Sequence, residues 1–156
     1  PGPHYQGSVL DVINDGWDMM IAHPPCTFIS KAGVRWLHSD PTRWAKLDEA
    51  CEFFNQLLDA DIPRICTENP IPHRYAIERL RGRKYQQIIH PWQHGHGETK
   101  ATCLWLKGLP PLQPTNIVDG REQRILNLPP SADRWKIRST TFKGIAGAMA
   151  QQWGAA

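Results

Sequence analysis

Residues 18–28 read DMMIAHPPCTF, an apolar run that stops at two prolines and a cysteine. The run 17–22 has no polar alternate face, which is typical of a short strand covered on both sides. Pro24 and Pro25 fix φ and carry no backbone N–H, so they end the strand and stiffen the loop that follows. This stretch therefore predicts a buried strand with the Cys26 thiol just beyond its carboxyl end.

A helix and a second strand are predicted next. Asp40 serves as the N-cap and Pro41 as the first helical residue, and apolar residues then recur at spacings of three and four as far as Ala60. Residues 62–67, IPRICT, form a short strand that residues 68–70 close. Strand, helix and strand in this order predict a βαβ unit with two parallel strands and a right-handed crossover. The apolar helix positions are Trp44, Leu47, Cys51, Phe54 and Leu58.

The remaining sequence continues the alternation of helices and strands. We expect a short helix over 73–80, strands over 86–90 and 101–106, and a proline-broken surface excursion over 113–140. A last helix begins at Thr140 or Thr141. The expected fold class is α/β, a mainly parallel sheet with flanking helices, in a single domain over residues 1–156.

Composition narrows the class of protein. The chain has 156 residues, 40% of them hydrophobic and 21% charged, with a formal net charge of +3. No apolar run is long enough to cross a membrane, so we expect no membrane association and a cytoplasmic location. The four cysteines stand singly, which favours reduced thiols of an intracellular protein. The chain begins at Pro1 without an initiator methionine, and we interpret it as an N-terminally truncated fragment.

The two predicted strand ends carry the residues most suited to chemistry. Ligands of open α/β sheets bind outside the carboxyl ends of the strands. The first strand ends at Cys26 and the second at Glu68, a soft nucleophile and a proton donor that are expected to face one crevice. Cys51, Cys66 and Cys103 lie on predicted apolar faces, and we expect them in the core.

These motifs resemble a known family. PPC at residues 24–26 and ENP at residues 68–70 look like the catalytic pair of the cytosine-5 DNA methyltransferases. Residues 139–153, STTFKGIAGAMAQQW, are similar in position to the final helix segment of that family. The chain also resembles a small phage-associated branch of that family, in the motifs HPPCT, ENP, KATCLW, and LPPL followed by PT. The resemblance implies a partial class I methyltransferase (Rossmann-like) fold acting on DNA in a bacterial or phage-infected cell.

The resemblance also implies roles for individual residues. Cys26 would attack C6 of a cytosine flipped out of the duplex, and Glu68 would bind its Watson–Crick edge and protonate N3. S-adenosylmethionine would then supply the methyl group to C5. The implied substrate contacts are Pro25, Asn69, Gly33, Arg35, Lys100 and Thr102, and the implied cofactor contacts are Ser8 and Pro24.

The sequence departs from the family at the cofactor side. A glycine-rich cofactor loop would lie upstream of Pro1, and Ser8 stands where the family has an acidic residue. The segment between Leu106 and Arg121 is too short for a large target-recognition domain. An upstream segment or a partner chain would then complete the sheet. Two alternatives stay open: a non-catalytic nucleic-acid-binding or accessory module, and base modification with a different one-carbon donor.

Basic residues form two clusters that we interpret as contacts for DNA phosphates. Trp36, Trp92 and Trp135 lie near these charges in sequence, where they can stack on bases. The first cluster is Arg79, Arg81, Arg83 and Lys84, and the second is Arg121, Arg124, Arg134, Lys136 and Arg138.

A histidine-rich loop raises the question of a metal site. His90, His94 and His96 lie close together, with Glu98 and Cys103 as further candidate ligands. Their spacing matches no standard zinc motif, so we expect no metal. A phosphate held by the backbone N–H groups of this loop is the alternative.

Overall fold

The computed structural model describes residues 3–154, so the predictions made on Pro1 and the last two residues lie outside it. Four strands and four helices follow one another in nearly the predicted order, and one of the helices, α3, falls inside the predicted surface excursion. Short 3₁₀ turns at Val9–Asp11, Lys31–Leu37 and Pro91–Gln93 join them. The elements are β1 (Met19–Ala22), α1 (Thr42–Asp59), β2 (Arg64–Pro70), α2 (Arg74–Arg79), β3 (Gln87–Ile89), β4 (Thr102–Lys107), α3 (Arg134–Ser139) and α4 (Lys143–Trp153).

The sheet has the order β1-β2-β4-β3 and is mixed. β1 and β2 are parallel, with Ala22 opposite Thr67, as the predicted βαβ unit requires. β4 runs antiparallel to both β2 and β3. The α/β class is confirmed, whereas the prediction of a mainly parallel sheet is wrong, because two of the three strand pairings are antiparallel.

The connection from β3 to β4 explains the reversal. Parallel neighbours need a crossover, usually a helix, to carry the chain back to the starting edge. Here the chain passes instead through the 3₁₀ turn Pro91–Gln93 and a glycine turn at Gly95, where φ is 86°. β4 therefore enters from the opposite direction and inserts between β2 and β3. Its apolar sequence correctly indicated a buried strand but carried no information on its direction.

Helices cover both faces of the sheet, and alternate residues of β4 show which face is which. Cys103 and Trp105 pack with Phe54 of α1, and the Phe54 and Trp105 rings are 4.9 Å apart. Leu104 packs instead with Met149 of α4. Over residues 3–154, no helix combines the length and the apolar content that crossing a membrane requires.

The first basic cluster is engaged with α1. Arg79 pairs with Asp48, and Arg81 pairs with Glu52 and Asp59 at 2.9 and 3.1 Å. Arg83 also pairs with Asp59 and donates to the backbone oxygen of Asn55. These arginines therefore fasten the turn after α2 onto α1, which leaves them poorly suited to the phosphate contacts that the sequence suggested. The residues concerned are Arg79, Arg81 and Arg83.

We predict that Gly108→Ala destabilises the fold far more than Gly16→Ala does. Both glycines have positive φ, 62° and 80°, but a Cβ at Gly108 would lie 2.2 Å from the Pro63 carbonyl oxygen whereas Gly16 has open space. Backbone strain alone costs about 1 kcal/mol at Gly16, and the clash at Gly108 adds at least ~2 kcal/mol because Pro63 leads into β2. Urea unfolding of both variants measures the difference, and equal losses would contradict the close approach.

Candidate active site

The parallel register of β1 and β2 brings two polar residues together where the strands end. Ala22 lies opposite Thr67, so His23 and Glu68 follow at the same level. Cys66 faces α4, and because strand side chains alternate, Glu68 lies on that same face. His23 Nδ1 lies 3.1 Å from Glu68 Oε2. The sequence did not identify His23, although its place immediately before the two prolines was visible.

Glu68 has one buried and one available oxygen. Oε2 is buried and has no aligned hydrogen bond within residues 3–154, so its contact with His23 is an ion pair whenever the imidazole is protonated. The Glu68 side chain retains 13% exposure and His23 retains 45%. The pair therefore sits at the boundary between the core and solvent, where a ligand can reach the remaining carboxylate oxygen.

Asn69 anchors the loop that carries the cysteine. Its Nδ2 donates 3.2 Å to the backbone oxygen of Pro24, and Asn69 is only 1% exposed. Pro24 is itself buried, whereas Pro25 is exposed. Pro24 and Asn69 each lie two residues beyond the last β1–β2 pair, Ala22 and Thr67, so this side-chain bond extends the pairing into the loop and anchors it.

Cys26 lies at the start of a tight turn and is exposed. Its carbonyl oxygen accepts from the backbone N–H groups of Ile29 at 3.1 Å and Ser30 at 3.0 Å. Gly33 closes the turn, because a Cβ there would lie 2.5 Å from the Thr27 carbonyl oxygen. The backbone at Cys26 is therefore fixed while its thiol faces solvent, and the role of Gly33 in the structure is close backbone approach.

A buried histidine, His73, fastens the same turn from the other side. His73 Nδ1 accepts from the backbone N–H of Ala76 at 3.1 Å, so Nε2 carries the proton and donates to the Phe28 carbonyl oxygen at 2.7 Å. Burial, opposed in part by this hydrogen bond, lowers the pKa of His73 below its usual value. Sequence reasoning missed His73, since a histidine that begins a helix gives no sign of a distant partner.

The other three cysteines are buried, as the sequence predicted. Burial raises the pKa of Cys51 to about 11 and that of Cys103 to about 11. The pKa of Cys66 rises to about 12, first through burial and then through the nearby Glu68 carboxylate. Cys26 is thus the one cysteine among residues 3–154 that a reagent or substrate reaches from solvent.

Two of the predicted substrate residues, Lys100 and Thr102, lie at the start of β4, which is beside the carboxyl end of β2. Thr102 is 3% exposed and pairs with Pro70 across the β2–β4 ladder. Its hydroxyl donates to the Lys100 carbonyl oxygen at 3.3 Å. Lys100 Nζ donates 2.8 Å to the Arg138 carbonyl oxygen, so this ammonium joins α3 to the edge of the sheet.

The remaining predicted residues lie elsewhere on the surface. Arg35 is exposed, and its guanidinium stacks 4.6 Å from the ring centre of Trp36. Ser8 begins the 3₁₀ turn Val9–Asp11, and its Oγ accepts from the backbone N–H of Leu10. No hydrogen bond within the described chain joins Ser8 to Pro24, and each already has a local partner. The assignment of Ser8 and Pro24 to S-adenosylmethionine therefore stays a prediction.

The histidine-rich loop makes structural contacts. His94 is 3% exposed and its Nδ1 lies 3.1 Å from Thr115 Oγ1. His96 Nε2 accepts from the backbone N–H of Gly144 at 3.0 Å, at the start of α4. No cluster of three or more candidate metal ligands occurs in the part of the chain described. This loop thus positions α4 on the sheet.

The arrangement at the strand ends is suited to addition chemistry on a planar ring. A thiolate at Cys26 supplies the nucleophile, and Glu68 supplies a carboxyl group that can give or receive a proton. Asn69 and His73 hold the backbone on which both groups depend. Cys26 follows β1 and Glu68 lies near the end of β2, so both groups belong to the same end of the parallel pair.

We predict that Cys26 is alkylated selectively in the native protein. At neutral pH, a thiol with a pKa near 11, as at Cys51 and Cys103, holds roughly 100-fold less thiolate than an ordinary one, and burial excludes the reagent as well. Peptide mass spectrometry after iodoacetamide treatment locates the adducts, with urea-unfolded protein as the control for all four thiols. Comparable native labelling of Cys51 or Cys103 would contradict the described burial.

We also predict that stability falls as the pH drops below about 6.5. His73 binds its proton less tightly in the folded protein than in the unfolded chain, so the unfolded state takes up more protons over that range. His90 and His94 act in the same direction through burial. Urea unfolding between pH 7 and 5 measures the slope, and His73→Gln is expected to reduce it. An unchanged slope in that variant would exclude His73 as a contributor.

Comparison with protein-family models and with curated proteins does not assign this chain to a family. No family model matches it, and no curated protein matches it significantly. The site itself consists of an exposed thiol on an anchored turn, a carboxyl group at the neighbouring strand end, and a histidine against that carboxyl group.

Proposed function

We propose that this protein activates cytosine in DNA for modification at C5, as the catalytic half of a cytosine-5 methyltransferase-like enzyme. The observation that carries the proposal is the pairing of the two strand ends. Exposed Cys26 stands on a turn that Asn69 ties to β2, and Glu68 precedes Asn69 directly. The nucleophile and the acid of the proposed reaction are thereby attached to adjacent, hydrogen-bonded strands.

The sheet gives the proposed relationship only coarse support. It is α/β in class, and β4 runs antiparallel between β2 and β3. On one side of β4 lie the parallel neighbours β2 and β1. Glu68 belongs to β2, and Cys26 follows β1.

The proposed reaction begins with addition to the base. The Cys26 thiolate forms a bond to C6, the C5–C6 double bond shifts its electrons toward N3, and Glu68 delivers a proton to N3. The product is an enamine whose C5 is nucleophilic. When C5 has bonded to an electrophile and given up its original hydrogen as a proton to water, the C6–S bond breaks, N3 returns its proton to Glu68, and the thiolate is regenerated.

The two carboxylate oxygens of Glu68 have different roles in this proposal. Oε2 faces His23, which leaves Oε1 for the Watson–Crick edge of the base. A carboxyl group can serve N3 only if it is held in place, since proton transfer requires hydrogen-bond reach. The contact with His23 restricts rotation of the Glu68 side chain, which makes His23 a positioning residue for the acid.

The methyl donor of the proposal is S-adenosylmethionine, with Ser8 and Pro24 as the contacts that the resemblance implies. Ser8 Oγ accepts from the backbone N–H of Leu10, and the Pro24 carbonyl oxygen accepts from Asn69 Nδ2. Activation of the base, by contrast, requires only Cys26 and Glu68, and it can be measured without a donor.

We predict that the protein exchanges the C5 hydrogen of cytosine in DNA with water. In the enamine, C5 takes a proton from water and then releases its original hydrogen, so tritium from [5-³H]cytosine DNA appears in solvent without any methyl donor. Cys26→Ser is expected to abolish the release because a hydroxyl adds poorly to C6, and Glu68→Gln to lower it by at least ~100-fold because N3 is no longer protonated.

The matched control for exchange is Cys51→Ser, at a buried thiol on α1 away from the strand ends. Unimpaired release by Cys26→Ser would rule out covalent attack by this residue. Absence of release from the unaltered protein, together with retained DNA binding, would favour the non-catalytic nucleic-acid-binding module instead.

A further inference from the structure

The helix α3 (Arg134–Ser139) is a surface element with no buried residue. Its Trp135 is 72% exposed and Ile137 is 44% exposed. Helices normally pack their apolar side chains against a core, because an isolated helix of this length is marginal in water. α3 is instead held by polar contacts at its flanks, with Arg134 Nε donating 2.8 Å to the Leu128 carbonyl oxygen. Its outward side chains are thus available to a partner.

The charges of α3 are free of neutralising carboxylates. No ion pair joins Arg134, Lys136 or Arg138 to an acidic side chain within residues 3–154. The first basic cluster differs, since Arg81 alone meets both Glu52 and Asp59. Two regions of similar composition are therefore electrostatically different, and α3 is the one that presents uncompensated positive charge to solvent.

The position of α3 links it to the strand ends. Lys100 Nζ donates 2.8 Å to the carbonyl oxygen of Arg138. Lys100 lies just before β4, whose first residue, Thr102, is opposite Pro70 at the end of β2. The carboxyl end of α3 is therefore tied to the same edge of the sheet at which Glu68 and Asn69 lie.

We propose that α3 is the docking surface for double-stranded DNA, with its cations on the phosphates and the Trp135 indole against a sugar or an unstacked base. The choice of DNA rests on the proposed function. Three cations on six residues, with no acid among them, complement a polyanion and would repel a basic partner. Phosphate contacts release counterions and are independent of sequence. Such contacts position the duplex at the strand ends without specifying a target sequence.

The first test measures the salt dependence of duplex binding by fluorescence anisotropy. Each phosphate contact contributes about 0.9 to the slope of log K against log salt concentration. Lys136→Gln is expected to reduce that slope by about 1 and the double variant Lys136→Gln/Arg138→Gln by about 2. Arg81→Gln removes the same charge from a paired site and is the matched control, with no expected change in slope.

Trp135 is tested separately, because its contact is not electrostatic. Trp135→Ala is expected to weaken duplex binding by about tenfold at constant salt slope, and Trp135→Phe to restore most of the loss. Far-UV circular dichroism and native selectivity of Cys26 alkylation confirm that each variant is folded. Equal affinity of Trp135→Ala and the unaltered protein would overturn the assigned role of the indole.

The outcomes separate this inference from the proposed function. If the α3 variants reduce the salt slope of duplex binding but the unaltered protein releases no tritium, the docking surface is supported and the reaction is refuted. Tritium release with an unchanged slope in the double variant refutes the docking surface and keeps the reaction. Failure of the unaltered protein to bind duplex DNA, or equal binding of an RNA duplex or an acidic peptide with the same slope, overturns the assignment of α3 to DNA.

Discussion

The parallel pairing of β1 and β2 is the constraint on which the rest of this structure depends. With Ala22 opposite Thr67, the residues that follow each strand must meet at the same level, and the hydrogen bond from Asn69 Nδ2 to the Pro24 oxygen extends that register into the loop. A shift by one residue would turn Glu68 to the α1 face and Asn69 to the α4 face. The turn at Cys26 would lose its anchor at the same time.

Sequence patterns predicted the elements better than their arrangement. The strand before Pro24, the helix after Asp40 and the buried character of β4 all follow from local side-chain chemistry, and each of these elements forms. The burial predicted for the first strand is wrong, because β1 is an edge strand with no buried residue, and its Ile21 is exposed. The direction of β4 was predicted wrongly, since it depends on a loop whose reversal rests on Gly95 and on contacts with distant residues. Periodicity reports burial and spacing, and it does not report which neighbour a strand will choose.

The same limit applies to the site and to the charges. Cys26 and Glu68 could be singled out because each follows a predicted strand, while His23 and His73 became visible only through partners at 3.1 and 2.7 Å. The two basic clusters look alike in the sequence. The fold distinguishes them, because α1 supplies Asp48, Glu52 and Asp59 to the first. In the second cluster Arg124 pairs with Glu98 and Glu122, whereas no ion pair within residues 3–154 reaches the three cations of α3.

An anchored but uncovered site places a requirement on its ligand. Charge development on a base is stabilised best where water is excluded, yet Cys26 is exposed and Glu68 lies at the solvent boundary. In the proposed reaction the DNA itself then has to cover the site, and the affinity that holds it there has to come from outside Cys26 and Glu68. Lys100 ties α3 to this edge of the sheet, so binding along that helix is well placed to bring the duplex over the thiol. In the two proposals, DNA docking depends on α3 and the chemistry depends on Cys26 and Glu68. Both sets of residues lie at the same end of the sheet.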